Sequence, residues 1–299
     1  MIWNPVVAGI DGSSESAVAA TVAMKLAEVA GTECYLVHAS SPASAMPAPI
    51  APRMELLADL NKELVNHLRR SMRNALLKHL SPDLIESTEV EVRLGDSTWA
   101  LSDAIRAHQA SLLVLGGKHH STIRRWLGGS TAHHAVRMID VPMLVTASDS
   151  RPFTRVLIGI DLSHAAEHTL GVGQQIAKLY NARLRVLHII EPFPLLANLS
   201  LGLDETAYCQ ASEDVFYRVV NDALGTTYAE RDVRRGVPSS VLRKECRAWN
   251  ANLLVVGTHG RGWIERAMIG STTNKLLNDL PTSLLVVPCG DPPRRGARS

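Results

Sequence analysis

Short apolar runs rich in Val, Leu and Ile recur along the chain, separated by stretches whose apolar residues repeat at helical spacing. Continuous runs of this kind suit strands covered on both faces, as in a parallel sheet, and the stretches between them suit crossover helices. In the first half the runs predict strands near 5–10, 34–39, 89–94, 111–116 and 142–146. A helix capped by Ser13 or Ser14 is expected through Ala17, Val18, Val22 and Leu26, ending at Gly31. Further helices are expected over Met54 to Leu80, Ala100 to Ala107 and Thr131 to Ile139. Alternation of this sort defines an α/β class, an open parallel sheet sandwiched by helices through right-handed crossovers.

The same order of elements occurs twice. Val6-Val7-Ala8-Gly9-Ile10-Asp11 returns as Val156-Leu157-Ile158-Gly159-Ile160-Asp161, and Tyr35-Leu36-Val37-His38 as Arg185-Val186-Leu187-His188, both at an offset of 150. Later landmarks return at an offset of 141: Leu113-Val114-Leu115-Gly116 as Leu254-Val255-Val256-Gly257, Gly129-Ser130-Thr131 as Gly270-Ser271-Thr272, and Met143-Leu144-Val145 as Leu284-Leu285-Val286. The chain is therefore one domain in duplicate, and the second copy is nine residues shorter between its second and third strands, where a loop absorbs the loss. The expected boundaries are 1–149 and 153–290, joined across Ser148 to Pro152, with a flexible tail at 291–299. A length of 299 residues suits two domains of this size.

Composition narrows the function classes. A net charge of +2 and 4% aromatic residues supply neither the electrostatic footprint nor the stacking platforms of a nucleic-acid binder. No apolar run approaches the roughly 20 residues that span a bilayer, so no membrane partner is expected. Cys34, Cys209, Cys246 and Cys289 form no C-x-x-C pair and no basic-then-apolar leader opens the chain, which points to a reduced, cytoplasmic protein.

The candidate chemistry lies where the second copy's fourth strand ends. After Leu253-Leu254-Val255-Val256 the chain reads Gly257-x2-Gly260-x9-Gly270-Ser271, followed by a predicted helix. Glycines let backbone amides turn toward an anion, and the free amides of a helix start attract negative charge, so the segment reads as a phosphate cradle. Ligands of such sheets bind beyond the carboxyl ends of the strands. Asp161 ends the first strand there, as an acceptor for an adenine amino group or a ribose hydroxyl, and Ile189 follows the second as an apolar wall for a base.

Both halves resemble the universal stress protein family, and the whole chain resembles a tandem member of it. The resemblance rests on the Gly-x2-Gly-x9-Gly-Ser pattern, the preceding strand, the early aspartate and the duplication together. It implies two tandem Rossmann-like, adenine-nucleotide-binding domains, paired within the chain about a pseudo-twofold axis. It also implies that Asp161 and Ile189 meet the adenine and ribose side, that Val256, Gly257, Gly260, Gly270, Ser271 and Thr272 line the ribose and phosphates, and that Gly159 and Ile160 belong to the same nucleotide site. The implied ligand is ATP, or ADP or AMP, with or without magnesium.

The first copy departs from the pattern at one position. Gly116, Gly129 and Ser130 match, but His119 replaces the second glycine, and an imidazole fills space a phosphate needs. With Asp11 these residues form a weakened second site, so one competent site per chain is expected, in the second half. Simpler roles compete: Asp11 and Asp161 as helix caps, Arg261 and Arg266 as solvated side chains, His38 and His188 as packed residues. His119, His120, His133 and His134 invite a metal, but neighbours on a helix point about 100° apart and no metal site is expected.

No Gly-x4-Gly-Lys-Ser/Thr loop, no dinucleotide fingerprint after the first strand and no kinase catalytic loop occurs, and no catalytic residue is assigned. The function expected is an adenine-nucleotide-binding stress-response protein, not an enzyme beyond weak ATP hydrolysis, whose ligand adjusts contacts with a protein partner. A nucleotide-independent scaffold or small-ligand carrier is the alternative, and a slow ATPase the weaker one. Homodimerisation of whole chains stays open on sequence alone.

Overall fold

The structure, a computed structural model, describes residues 3–40, 54–80, 84, 88–117, 130–192, 205–258 and 269–289. The chain divides into two compact units, Met1–Arg151 and Pro152–Ser299. In the first, the strands are β1 (Val6–Ile10), β2 (Cys34–Ser40), β3 (Val90–Leu94), β4 (Leu112–Gly116) and β5 (Met143–Thr146). They form a parallel sheet in the order β3-β2-β1-β4-β5, with α1 (Ser14–Ala30), α2 (Met54–Leu76), α3 (Ser97–Ala107) and α4 (Ser130–Met138) between successive strands. Reversal of strand order beside β1 is what a doubly wound sheet uses to open a crevice at its carboxyl edge.

The core sits where the apolar runs predict. Val6, Val7, Ala8, Leu112, Leu113, Val114 and Leu144 have no exposed surface, because both faces of the central strands carry helices. Helix α1 starts as expected at Ser13, whose hydroxyl accepts from the Ser16 amide at 3.2 Å. It stops at Gly31, in the left-handed region at φ 64°.

Other boundaries differ from expectation. Helix α2 ends at Leu76 and not at Leu80, since residues 77–80 wind into tighter turns ahead of Pro82. Helix α3 begins three residues before Ala100. Asp96 caps it by accepting from the amides of Thr98 at 2.9 Å and Trp99 at 3.3 Å. Helix α4 spans Ser130–Met138, one residue before the expected span.

The second unit repeats the plan with β6 (Arg155–Ile160), β7 (Arg183–Ile190), β8 (Glu230–Arg235), β9 (Leu253–Gly257) and β10 (Ser283–Val287), parallel in the order β8-β7-β6-β9-β10. Its helices are α5 (Ala166–Leu179), α6 (Glu205–Leu224), α7 (Pro238–Ala248) and α8 (Ser271–Asn278). Gly159 lies mid-sheet, where an added Cβ would meet Leu242 of α7 at 2.9 Å, so this glycine lets the helix close on the strand. A packed pair is kept in both units with changed chemistry. In the first unit Tyr35 stacks on His108 at 3.7 Å; at the matching places in the second, the Arg185 guanidinium lies 4.8 Å over Trp249.

Candidate functional site

In the second unit the parallel register carries Asp161, Ile189 and Gly257 to the same edge of the sheet. Ile160 pairs with His188 and Gly159 with Val256, so each of the three lies one step past those partners. The histidine there serves packing: His188 is 4% exposed, its Nδ1 hydrogen-bonds the Ile160 carbonyl at 2.9 Å, and its ring stacks on Phe216 at 6.0 Å. His38 makes the same 2.9 Å bond to Ile10 in the first unit. Ile189 is 7% exposed, an apolar side chain set into this edge.

The cradle is built from backbone. The Thr258 amide donates to Val287 at 2.9 Å, and the Thr258 carbonyl accepts from Gly270 at 2.8 Å. Thr258 Oγ1 accepts from the Cys289 amide at 3.0 Å, and Thr273 Oγ1 donates to the Gly257 carbonyl at 2.8 Å. Strands β9 and β10 and the first turn of α8 are thereby pinned together. Gly270 is the residue before that turn and offers no capping side chain. Among the described residues no side chain caps the amides at the start of α8, at Ser271 and Thr272, which is the condition that lets a helix start hold an anion. Ser271 is exposed and Thr272 half-buried. Gly260, Arg261 and Arg266, which the sequence places between Gly257 and Gly270, lie outside the described residues.

Asp161 does not cap the following helix. Its Oδ1 accepts from the Ser163 amide at 3.1 Å, closing a turn in which Leu162 holds φ at 60°. Among the described residues its Oδ2 has no hydrogen-bond partner, and neither has Ser163 Oγ, although both atoms are shielded from solvent. Polar atoms in that condition are costly in a folded chain. The Asp161 carboxylate can accept from a hydrogen-bond donor, and the start of α8 attracts negative charge.

The first unit is arranged differently at the corresponding edge. Asp11 Oδ1 accepts from both the amide and the hydroxyl of Ser13. Gly12, at φ 80°, lies under α2, where an added Cβ would meet Ala75 at 3.2 Å and Met72 at 3.4 Å. An added Cβ on Gly116 would meet the backbone of Glu15 at 2.7 Å, so that glycine admits the first turn of α1. His119 and Gly129 lie outside the described residues, as does the side chain of Ser130, the first residue of α4. His133 is half-buried and His134 exposed on α4. Among the described residues no group of three or more His, Cys, Asp or Glu side chains could hold a metal ion.

A cleft of about 180 Å³ opens near the end of β7, lined by Ile190, Glu191, Pro192, Tyr208, Cys209 and Arg235, with Glu205 at 3.8 Å from Arg235. Its volume is below the roughly 300 Å³ at which whole-ligand pockets begin. Burial pushes the thiols of Cys34 and Cys246 up to about 12, which keeps both protonated and unreactive near neutral pH. Among the described residues no helix is long and apolar enough to cross a membrane.

Sequence reasoning reached Asp161, Ile189 and the glycines but not Ser163, Thr258 or Thr273. Thr258 and Thr273 stand among polar residues and glycines, where nothing in the sequence singles them out. Ser163 stands in an Asp-x-Ser sequence that both copies share.

The family model for the universal stress protein family matches residues 3–147 and again 152–288. A universal stress protein of Mycolicibacterium smegmatis is 25% identical over 94% of this chain and 96% of its own length. The fold is that of a universal stress protein crystal structure from Archaeoglobus fulgidus, with a TM-score of 0.63 at 17% identity over 95% of this chain and 98% of that one. A functionally unknown protein of Pseudomonas aeruginosa has the same fold, with a TM-score of 0.59 at 18% identity over 96% of this chain and 93% of that one. Two matches of one family model, laid end to end along nearly the whole sequence, establish that the chain belongs to the universal stress protein family.

Proposed function

We propose that the second unit binds an adenine nucleotide, ATP or its products ADP or AMP, and that occupancy adjusts the contacts this stress-response protein makes with a partner. The observation that carries the reading is the uncapped start of α8, fastened to β9 through Thr273 and Gly257, at the sheet edge where Asp161 keeps an unpartnered carboxylate oxygen. Donors from base or ribose answer the carboxylate, and phosphate oxygens answer the amides of Ser271 and Thr272. Magnesium would accompany the phosphates as a counter-charge carried by the ligand.

In this reading the site binds and does not turn over: no general base is assigned over the phosphates, and any hydrolysis is slow leakage. Among the described residues the cysteines form no disulfide, as a reducing compartment such as the cytoplasm would have it.

The test is to purify the protein without added nucleotide, denature it, and quantify what is released per chain by chromatography. One adenine nucleotide per chain, or a thermal shift on adding millimolar ATP, is expected; ligand at a hundredfold its Kd adds about 2.7 kcal/mol. Gly260→Asp, which sets a carboxylate in the phosphate path, abolishes the shift while leaving the unliganded protein folded. No release together with no shift overturns the reading. The nucleotide-independent scaffold would then stand, favoured by the first unit, where Asp11 is engaged by Ser13 and Gly116 is filled by α1.

A further inference from the structure

The two copies share an Asp-x-Ser turn after the first strand, and the structure gives its serine two different employments. In the first unit Ser13 Oγ donates to Asp11 and accepts from the Ser16 amide, so the hydroxyl is spent on the turn and the cap of α1. In the second, the helix begins later: His164 matches Ser14, the first residue of α1, yet α5 starts at Ala166. The Ser163 carbonyl instead accepts from the Ala166 amide at 2.9 Å, and Ala165 precedes the helix with no side-chain cap. The slip leaves Ser163 Oγ with no amide to cap, and among the described residues both it and Asp161 Oδ2 lack partners.

We propose that Ser163 is a ligand-binding residue that acts beside Asp161 on the sugar hydroxyls of the bound nucleotide; the assignment rests on the nucleotide reading above. A carboxylate oxygen can only accept, whereas a hydroxyl both donates and accepts. Two adjacent hydroxyls, as on a ribose, satisfy that pair: one donates to Asp161 Oδ2 and the other exchanges a hydrogen bond with Ser163 Oγ. Both oxygens are shielded from solvent, and the Ser163 hydroxyl meets the sugar by turning to another staggered well at χ1. The corresponding serine of the first unit is already engaged, so the preference for a hydroxylated sugar belongs to the second unit alone.

The experiment titrates the full chain and its Ser163→Ala variant with ATP, 2′-deoxy-ATP and 3′-deoxy-ATP by calorimetry, and measures the thermal midpoint of each protein without ligand. The variant is expected to lose about threefold to tenfold in ATP affinity, the worth of one hydrogen bond. It should lose much less for whichever deoxy analogue lacks the contacted hydroxyl. Its unliganded midpoint should match or exceed that of the parent, because the deleted hydroxyl is unpartnered. Equal ATP affinity for parent and variant overturns the assignment of Ser163 and leaves the nucleotide site standing. A clear fall in the unliganded midpoint overturns it too, by showing that the hydroxyl serves the fold. No binding of ATP by the parent overturns the reading beneath it.

Discussion

Thr273 Oγ1 donates a hydrogen bond to the Gly257 carbonyl at 2.8 Å, across a gap of sixteen residues, and so fastens the first turn of α8 to the last residue of β9. Thr273 is 3% exposed, so water cannot readily replace the bond. Thr273→Val keeps the shape and removes the donor. It should lower stability by about 1–3 kcal/mol, read as a lower urea midpoint at unchanged slope. It should also weaken ATP binding, since the amides of Ser271 and Thr272 lose their fixed aim. An unchanged midpoint would show that packing alone holds the cradle.

Ser13 caps α1 with its hydroxyl on the Ser16 amide. Ser13→Ala should cost about 1 kcal/mol of stability in urea unfolding. No cost at all would mean that the first turn of α1 is held by its packing against Gly116 and not by the cap.

Two glycines on α5, two residues apart, should respond in opposite senses. An added Cβ on Gly173 would meet Ile158 Cδ1 at 2.4 Å and Cγ1 at 2.8 Å, whereas one on Gly171 meets nothing within 4 Å. Gly171→Ala should therefore stabilise by about 0.5–1 kcal/mol, as alanine does in a helix interior. Gly173→Ala should destabilise by about 1–3 kcal/mol through overpacking against β6. Thermal midpoints moving in the same direction would refute the packing assigned to α5.

Acid should weaken the second unit at a definable place. The hydrogen bond from Arg185 to Glu230, with a second from Arg183, holds the Glu230 carboxyl below its ordinary value of 4.5. Because the folded value lies below the unfolded one, the pair's contribution is fully present above pH 4.5 and is lost as pH falls through the folded value. Glu230→Gln should cost about 0.5–1 kcal/mol at pH 7, the scale of a partly exposed ion pair. Urea midpoints of parent and variant should converge below pH 4.5. A difference that persisted there would point to packing.

The fold was legible because its signals are local. The runs at Val6–Ile10, Leu112–Gly116 and Leu253–Gly257 are strands within a residue of their expected bounds. Ser13 and Gly31 end α1 as their types suggest, and the repeated landmarks gave the duplication without structural help. The start of α3 was missed although Asp96 is a good cap, because the apolar pattern alone begins at Ala100. At the candidate site, Asp161 and the glycines stood out by spacing. Thr273 did not, since its bond to Gly257 joins residues that only the fold brings together. Ser163 was hidden for another reason: the Asp-x-Ser pattern is common to both copies, and its lack of a partner among the described residues follows from where α5 begins.

The late start of α5 also bears on how duplicated domains part company. After a gene copies a domain, divergence is usually sought in exchanged residues, yet Asp11-x-Ser13 and Asp161-x-Ser163 are spelled alike. A slip of two residues in where winding begins releases one hydroxyl from upkeep of the scaffold while the aspartate and the serine of the turn are kept. Paralogues can thus divide their labour through the phase of a helix, a change that comparing the aspartate and the serine alone does not register.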